Sequence, residues 1–192
     1  MSTKTTDYIK VYPKAFPVSA ISSIIKWCKT QNFESATVIG SKDKDDVKEK
    51  IRNAKNLALT IDHKNQTMIH WFNFLGAFFL KGIQQYKKEV GKFPPTPQKL
   101  DNIEILKYTE GGHYVYHTDH HFTYPREISC ILLLNDDYEG GELEFCDSEG
   151  NSVLTVPNES GKLIVWPSNF LFPHRVNPIK KGLRYSIVSW AS

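Results

Sequence analysis

From Asn102 onward the chain breaks into short runs rich in Ile, Val, Leu and aromatic residues, bounded by clusters of Gly, Pro, Asn and Asp. These are Ile103–Tyr108, Ile128–Leu134, Glu142–Phe145, Ser152–Val156, Lys162–Trp166, Leu171–Val176 and Tyr185–Trp190. Several short strands at this spacing predict a β-sandwich or barrel. A jelly roll is one of the few ways to close such a set.

The first half reads differently. Tyr8–Tyr12 is expected as a strand closed by Pro13, Pro17–Thr30 as a helix, and Phe33–Ile39 as a strand. The first helix sets Val18, Ile21, Ile24, Ile25 and Cys28 on one face. Asn65–Val90 carries the strongest helical pattern, with Met68, Ile69, Phe72, Leu75, Gly76, Phe79, Ile83, Tyr86 and Val90 at three- and four-residue steps. This stripe reads as core packing rather than a cofactor groove. Gly91 ends the helix, and Pro94-Pro95-Thr96-Pro97 cannot continue it. The expected class is α+β, mainly β: a jelly roll supported by N-terminal helices. One domain is expected over residues 1–192, with support in 1–100 and the jelly-roll core in 101–192.

Bulk properties exclude several classes. A net charge of +3, with lysines dispersed, is too small an excess to argue for nucleic acid. The longest apolar stretch, Trp71–Leu80, is too short to span a bilayer and contains Asn73. Cys28, Cys130 and Cys146 form no zinc or redox spacing, and the odd count argues against a disulfide framework. The N-terminus lacks the apolar core of a signal peptide. A cytoplasmic location is expected; nothing in the sequence specifies an oligomeric state.

The chemistry concentrates in His113-Tyr114-Val115-Tyr116-His117-Thr118-Asp119-His120-His121. On a strand, residues two apart share a face, so His117 and Asp119 would offer an imidazole and a carboxylate to one point. His174 is the only histidine beyond this cluster in the C-terminal half. Two histidines and a carboxylate with open positions suit non-heme Fe(II), whereas structural zinc prefers a closed four-ligand set, often with thiolates. His113, His120 and His121 are expected as surface or supporting groups, and Tyr114 and Tyr116 as strand aromatics. Arg184 opens the final strand, and its planar fork suits a carboxylate. Ser186 and Trp190 share its parity, while Lys180 and Lys181 are rival anchors in what reads as an exposed turn. Gly140-Gly141 reads as a turn with no chemical role.

Three ordered segments carry a resemblance. Tyr108–Asp119 resembles the ligand strand of prolyl 4-hydroxylase-like Fe(II)/2-oxoglutarate oxygenases, Leu133–Phe145 their central hairpin, and His174–Tyr185 their second ligand and oxoacid arginine. The match covers residues 103–191, with a looser echo in Tyr8–Lys29. It implies a double-stranded β-helix with His117, Asp119 and His174 on iron. It implies 2-oxoglutarate on Arg184 and Tyr108, with Ser186 beside them, and substrate against Arg126 and Trp190. Arg126 also reads as a solvated strand end. Leu133 departs from relatives that place a tyrosine on the cosubstrate there. The implied reaction couples 2-oxoglutarate decarboxylation to hydroxylation, with ascorbate as a reductant in similar enzymes. The expected substrate is a prolyl residue in a peptide or protein. Alternatives are a free small molecule, a nucleobase, or a non-catalytic jelly-roll binding module. The charged stretch Gly40–Lys50 reads either as a substrate lid or as an ordinary surface loop.

Overall fold

The structure, a computed structural model, describes residues 4–36, 50–61, 65–91, 99–123 and 125–192. The expected lid, apart from Lys50, lies outside these residues, as do positions 37–39 of the third expected element and the Pro94–Pro97 terminator.

Among the described residues two helices, α1 (Val18–Cys28) and α2 (Gln66–Val90), accompany fourteen strands. In chain order these are β1 (Lys10–Tyr12), β2 (Glu34–Ser35), β3 (Arg52–Asn53), β4 (Lys55–Leu59), β5 (Leu100–Tyr108), β6 (His113–His117) and β7 (Ile128–Leu133). They continue with β8 (Glu139–Gly140), β9 (Leu143–Cys146), β10 (Ser152–Val156), β11 (Leu163–Pro167), β12 (His174–Val176), β13 (Ile179–Lys181) and β14 (Arg184–Ala191). A seven-stranded sheet runs β1-β11-β7-β14-β5-β4-β2, and a five-stranded sheet runs β10-β9-β12-β6-β3. Among the described residues every strand pairing in both is antiparallel.

Strand alternation explains the layering. Ile103 and Ile105 of β5, Cys130 and Leu132 of β7, Leu163 and Val165 of β11, and Tyr185 and Ile187 of β14 pack outward with the helices in one core cluster. Their neighbours Leu106, Tyr108, Ile131, Leu133, Ile164, Trp166, Val188 and Trp190 face inward. There they join Leu143, Phe145, Val156 and Val176 from the smaller sheet in a second cluster. The central strands are covered on both faces, which is why β7 and β11 read as continuous apolar runs.

The long helix starts where Asn65 caps it, its side chain accepting from the Met68 N–H at 3.0 Å, and stops at Gly91 with φ +82°. Its most buried line is Trp71, Leu75, Phe79, Ile83 and Tyr86. Met68, Phe72 and Val90 flank that line and are partly buried, so the expected stripe is rotated slightly from the real one. In α1 Val18 is 78 % exposed, because it occupies the first helical turn, away from the sheet. The expected Tyr8–Tyr12 strand shortens to β1 after a 3-10 turn over Thr5–Tyr8. The expected Leu171–Val176 strand begins only at His174, because Asn169 Oδ1 caps the Leu171 N–H and the chain turns there. The segment holding Lys180 and Lys181 is a short strand rather than a turn; Ile179 is buried and both lysines are exposed. No helix among the described residues is long and apolar enough to cross a membrane.

Candidate active site

His117 ends β6 and His174 opens β12, and the two are direct cross-strand partners. Asp119 is not on the strand. It lies in the bend beyond β6, so it meets His117 through a turn rather than through strand parity. That turn is held from outside: the His120 N–H donates to the Ser168 carbonyl at 3.0 Å, and His120 Nδ1 bonds the Arg126 carbonyl at 2.8 Å. Asp119 Oδ1 then stands 3.7 Å from His117 Nε2, and Oδ2 stands 3.5 Å from His174 Nε2. One donor atom from each of the three residues falls within 4.8 Å of the others, a spacing that could hold a metal ion.

Both rings present the correct nitrogen. His117 Nδ1 lies 2.8 Å from the Val115 carbonyl and His174 Nδ1 lies 3.1 Å from the Phe172 carbonyl. A carbonyl only accepts, so each Nδ1 carries the hydrogen and each Nε2 keeps its lone pair for a metal. Tyr114 stacks on His117 at 3.6 Å between centroids, and Trp166 meets His174 edge-on at 5.0 Å. Burial, then the neighbouring His174, holds His117 well below the ordinary histidine pKa. Burial would raise the Asp119 carboxyl, but His174, His117, the Ser129 hydroxyl and Arg126 outweigh it and hold it low. The result is a neutral imidazole beside a carboxylate, a donor set that fits Fe(II).

A cavity of about 210 Å³ opens onto this cluster between the inner faces of the two sheets. Tyr108 lines it, and behind Tyr108 lies Arg184, fully buried, with its guanidinium 5.1 Å from that ring's centroid. Arg184 Nη1 donates to Ser186 Oγ at 2.8 Å, but Nε and Nη2 are buried with no hydrogen-bond partner. An unpaired buried guanidinium is costly, and these donors are what an anion's carboxylate would satisfy. Lys180 and Lys181 are exposed and turned to solvent.

Tyr138 is a residue the sequence reading missed. Its hydroxyl is buried with no well-aligned hydrogen bond, yet lies close enough to Arg184 that the guanidinium's charge and a weak side-chain hydrogen bond oppose the rise burial gives its pKa. Gly141, at φ +69°, makes the arrangement fit: a Cβ there would collide with Ile179 and lie 3.1 Å from Arg184 Cδ and 3.3 Å from the Tyr138 ring. The glycine therefore lets the turn close against Arg184 and Tyr138. Tyr138→Phe is expected to weaken 2-oxoglutarate binding by roughly threefold to tenfold, the worth of one ordinary hydrogen bond. Calorimetric titration of the metal-loaded protein checks this.

At the cavity mouth Arg126 stacks over Trp190 at 3.6 Å, and both line the opening. Arg126 is only 9 % exposed, so it is not a solvated strand end. His113 bonds the Gly111 carbonyl and His121 accepts from the Thr123 N–H; neither joins the three-residue cluster.

Comparison with known sequences places this geometry. The profile of the 2OG-Fe(II) oxygenase superfamily matches residues 103–192, the stretch that contains His117, Asp119, His174 and Arg184. Over these residues, just under half of the chain, the sequence is similar to the 2OG-Fe(II) oxygenase superfamily. A PKHD-type hydroxylase of Synechococcus sp. (strain JA-2-3B'a(2-13)) is 38 % identical over 102 residues, covering 49 % of this chain and 44 % of the relative. One from Aliarcobacter butzleri (strain RM4018) is 36 % identical over 104 residues, with the same coverage. The matched segment thus spans less than half the length of these relatives. The likeness in fold extends further than the sequence match. A Pseudomonas putida prolyl-4-hydroxylase superposes with a TM-score of 0.71 at 20 % identity, over 95 % of this chain and 91 % of that one. A Trichoplax adhaerens prolyl hydroxylase in complex with a hypoxia inducible factor peptide fragment gives 0.73 at 15 % identity, over 97 % and 84 %. The superfamily is one of enzymes that use Fe(II) and 2-oxoglutarate, and the His–Asp–His cluster is consistent with iron.

Proposed function

We propose that this protein is an Fe(II)/2-oxoglutarate-dependent dioxygenase that hydroxylates a prolyl residue in a peptide or protein, built on a double-stranded β-helix. The observation that carries the oxygenase reading is Arg184: a fully buried cation with two unpaired nitrogens, set behind Tyr108, which lines the cavity shared by the three possible metal donors. In this reading His117 Nε2, Asp119 and His174 Nε2 hold the iron. Three protein donors would leave positions on such an ion open to small ligands. When bound with 2-oxoglutarate and dioxygen, iron at this site would supply the oxidising power to put one oxygen atom into a substrate C–H bond, with the oxoacid converted to succinate and carbon dioxide.

The chain's own residues bind and orient. Arg184 pairs the distal carboxylate of the oxoacid through a charge-assisted fork, Ser186 orients that fork, and Tyr108 and Tyr138 flank it. Leu106, Ile131, Trp166 and Val188 line the cavity and exclude water from the reacting centre. Arg126, braced on Trp190, offers N–H donors along the cavity wall to a peptide carbonyl. The prolyl substrate is supported by the names of the PKHD-type and prolyl hydroxylase relatives and by the peptide complex of one structural neighbour. The free, buried cysteines are consistent with a reducing, cytoplasmic setting.

Succinate release tests the proposal. Protein loaded with Fe(II), 2-oxoglutarate and ascorbate is offered peptides with and without proline, and free metabolites. Release that rises only with proline peptides, with a product heavier by one oxygen, is the expected result. Stimulation by a free metabolite alone would overturn the prolyl assignment, and no oxoacid turnover with any substrate would overturn the oxygenase.

A further inference from the structure

Ser129 is the second residue of β7, between Ile128 and Cys130 and opposite Trp166 and Trp190 on the neighbouring strands. It is fully buried, as is Ser168, which follows directly after β11. A hydroxyl placed in such a run costs free energy unless it is hydrogen-bonded, so its partners identify its role. Ser129 Oγ donates to Asp119 Oδ2 at 2.7 Å, and the same oxygen lies 2.7 Å from Ser168 Oγ. A hydroxyl has one hydrogen. Having donated it to the carboxylate, Ser129 must accept from Ser168, which sets the direction of both bonds: Ser168 to Ser129 to Asp119.

The backbone reinforces the same junction. The Ser168 N–H donates to the Glu127 carbonyl at 2.9 Å, and the Ser168 carbonyl receives the His120 N–H. Ser168 therefore holds the Asp119 bend at two points, once through its carbonyl and once through the two hydroxyls. Asp119 needs this support because it lies beyond the end of β6, where no strand pairing orients it.

We propose that Ser129 and Ser168 are positioning residues for the metal: a one-way hydroxyl relay that occupies Asp119 Oδ2 and leaves Oδ1 as the oxygen available to the ion. The relay rests on the metal assignment made under Proposed function. A carboxylate whose second oxygen is engaged in a charge-assisted bond is held in one rotamer and one binding mode. Outer partners of this kind are typically worth roughly 10–100-fold in metal affinity.

The test uses the full chain stripped of metal with a chelator and titrated with Co(II), read by calorimetry and by the visible ligand-field spectrum. Ser129→Ala is expected to bind Co(II) roughly 10–100-fold more weakly and with an altered spectrum, since Asp119 can rotate or chelate. Ser129→Thr, which keeps the hydroxyl on a strand that favours β-branching, is expected to restore the parent spectrum. Ser168→Ala leaves the Ser129 donor in place and gives an intermediate loss. If Ser129→Ala folds poorly, the comparison of Ser168→Ala with Ser168→Thr carries the same contrast. Parent-like affinity and spectrum in both alanine variants would overturn the relay while leaving the metal site standing. A parent chain that takes up neither Co(II) nor Fe(II) would overturn both.

Discussion

Replacing Arg184 by alanine is expected to weaken 2-oxoglutarate binding by roughly thirty- to several-thousand-fold, the range for truncating one side of a buried, hydrogen-bonded charge pair at about 2–5 kcal/mol. The loss should appear in the oxoacid titration of metal-loaded protein, with metal stoichiometry unchanged. Arg184→Lys keeps the charge but loses the fork, and Nζ cannot both meet Ser186 and span two carboxylate oxygens, so recovery should be partial. The same residue carries a prediction of opposite sign. Without oxoacid, Arg184 Nε and Nη2 are buried with no well-aligned hydrogen bond, so the fold bears a cation with no carboxylate partner, compensated only in part by Ser186 and the Tyr108 ring. Arg184→Met, similar in volume and apolar, is expected to raise the urea midpoint of the oxoacid-free protein. The parent should then gain stability on adding 2-oxoglutarate, and the variant should not. Undiminished oxoacid-dependent turnover in Arg184→Ala would sink the assignment and return Lys180 or Lys181 to consideration.

Why this arginine was legible in the sequence, and Tyr138 was not, has a physical answer. Arg184 opens a strand whose alternation sends Arg184, Ser186, Val188 and Trp190 to one face, so its inward direction follows from period-two geometry alone. Tyr138 lies in the irregular Asn135–Gly141 segment, where no periodicity aims a side chain. Its approach to Arg184 comes from the way the two glycines let the hairpin close against Ile179 and Arg184. Ser129 and Ser168 are separated by 39 positions and meet only because β7 pairs with β11. The β8–β13 ladder is two and three residues long, too short for any alternation to register. Conversely, His117 and Asp119 were placed together for a reason that does not hold. They converge through a pinned bend, not a shared strand face, and the residue types in the cluster sufficed to find them even so.

The second large effect falls on the metal. His117→Ala, Asp119→Ala and His174→Ala are each expected to reduce Fe(II) or Co(II) uptake from one ion per chain to none at micromolar metal, because two remaining donors cannot hold a divalent ion against water. His113→Ala and His121→Ala should leave uptake at one, since neither ring reaches the cluster. His120→Ala should fall between, because His120 bonds the Arg126 carbonyl across the Asp119 bend. His174 is buried against Phe145 and Trp166, so its alanine variant also leaves a void. His174→Gln, which fills more of that space, separates lost ligation from lost packing. Oxoacid binding supplies the cross-check. If the oxoacid sits on the metal and on Arg184 together, each ligand must raise the other's affinity by the same factor. The three cluster variants should then bind 2-oxoglutarate weakly although Arg184 is intact. Arg184→Ala should keep its metal, lose its oxoacid, and lose the increase in metal affinity that oxoacid confers on the parent. Cluster variants that bind 2-oxoglutarate as tightly as the parent would mean that the oxoacid lies away from the metal, and a dioxygenase needs both at one centre.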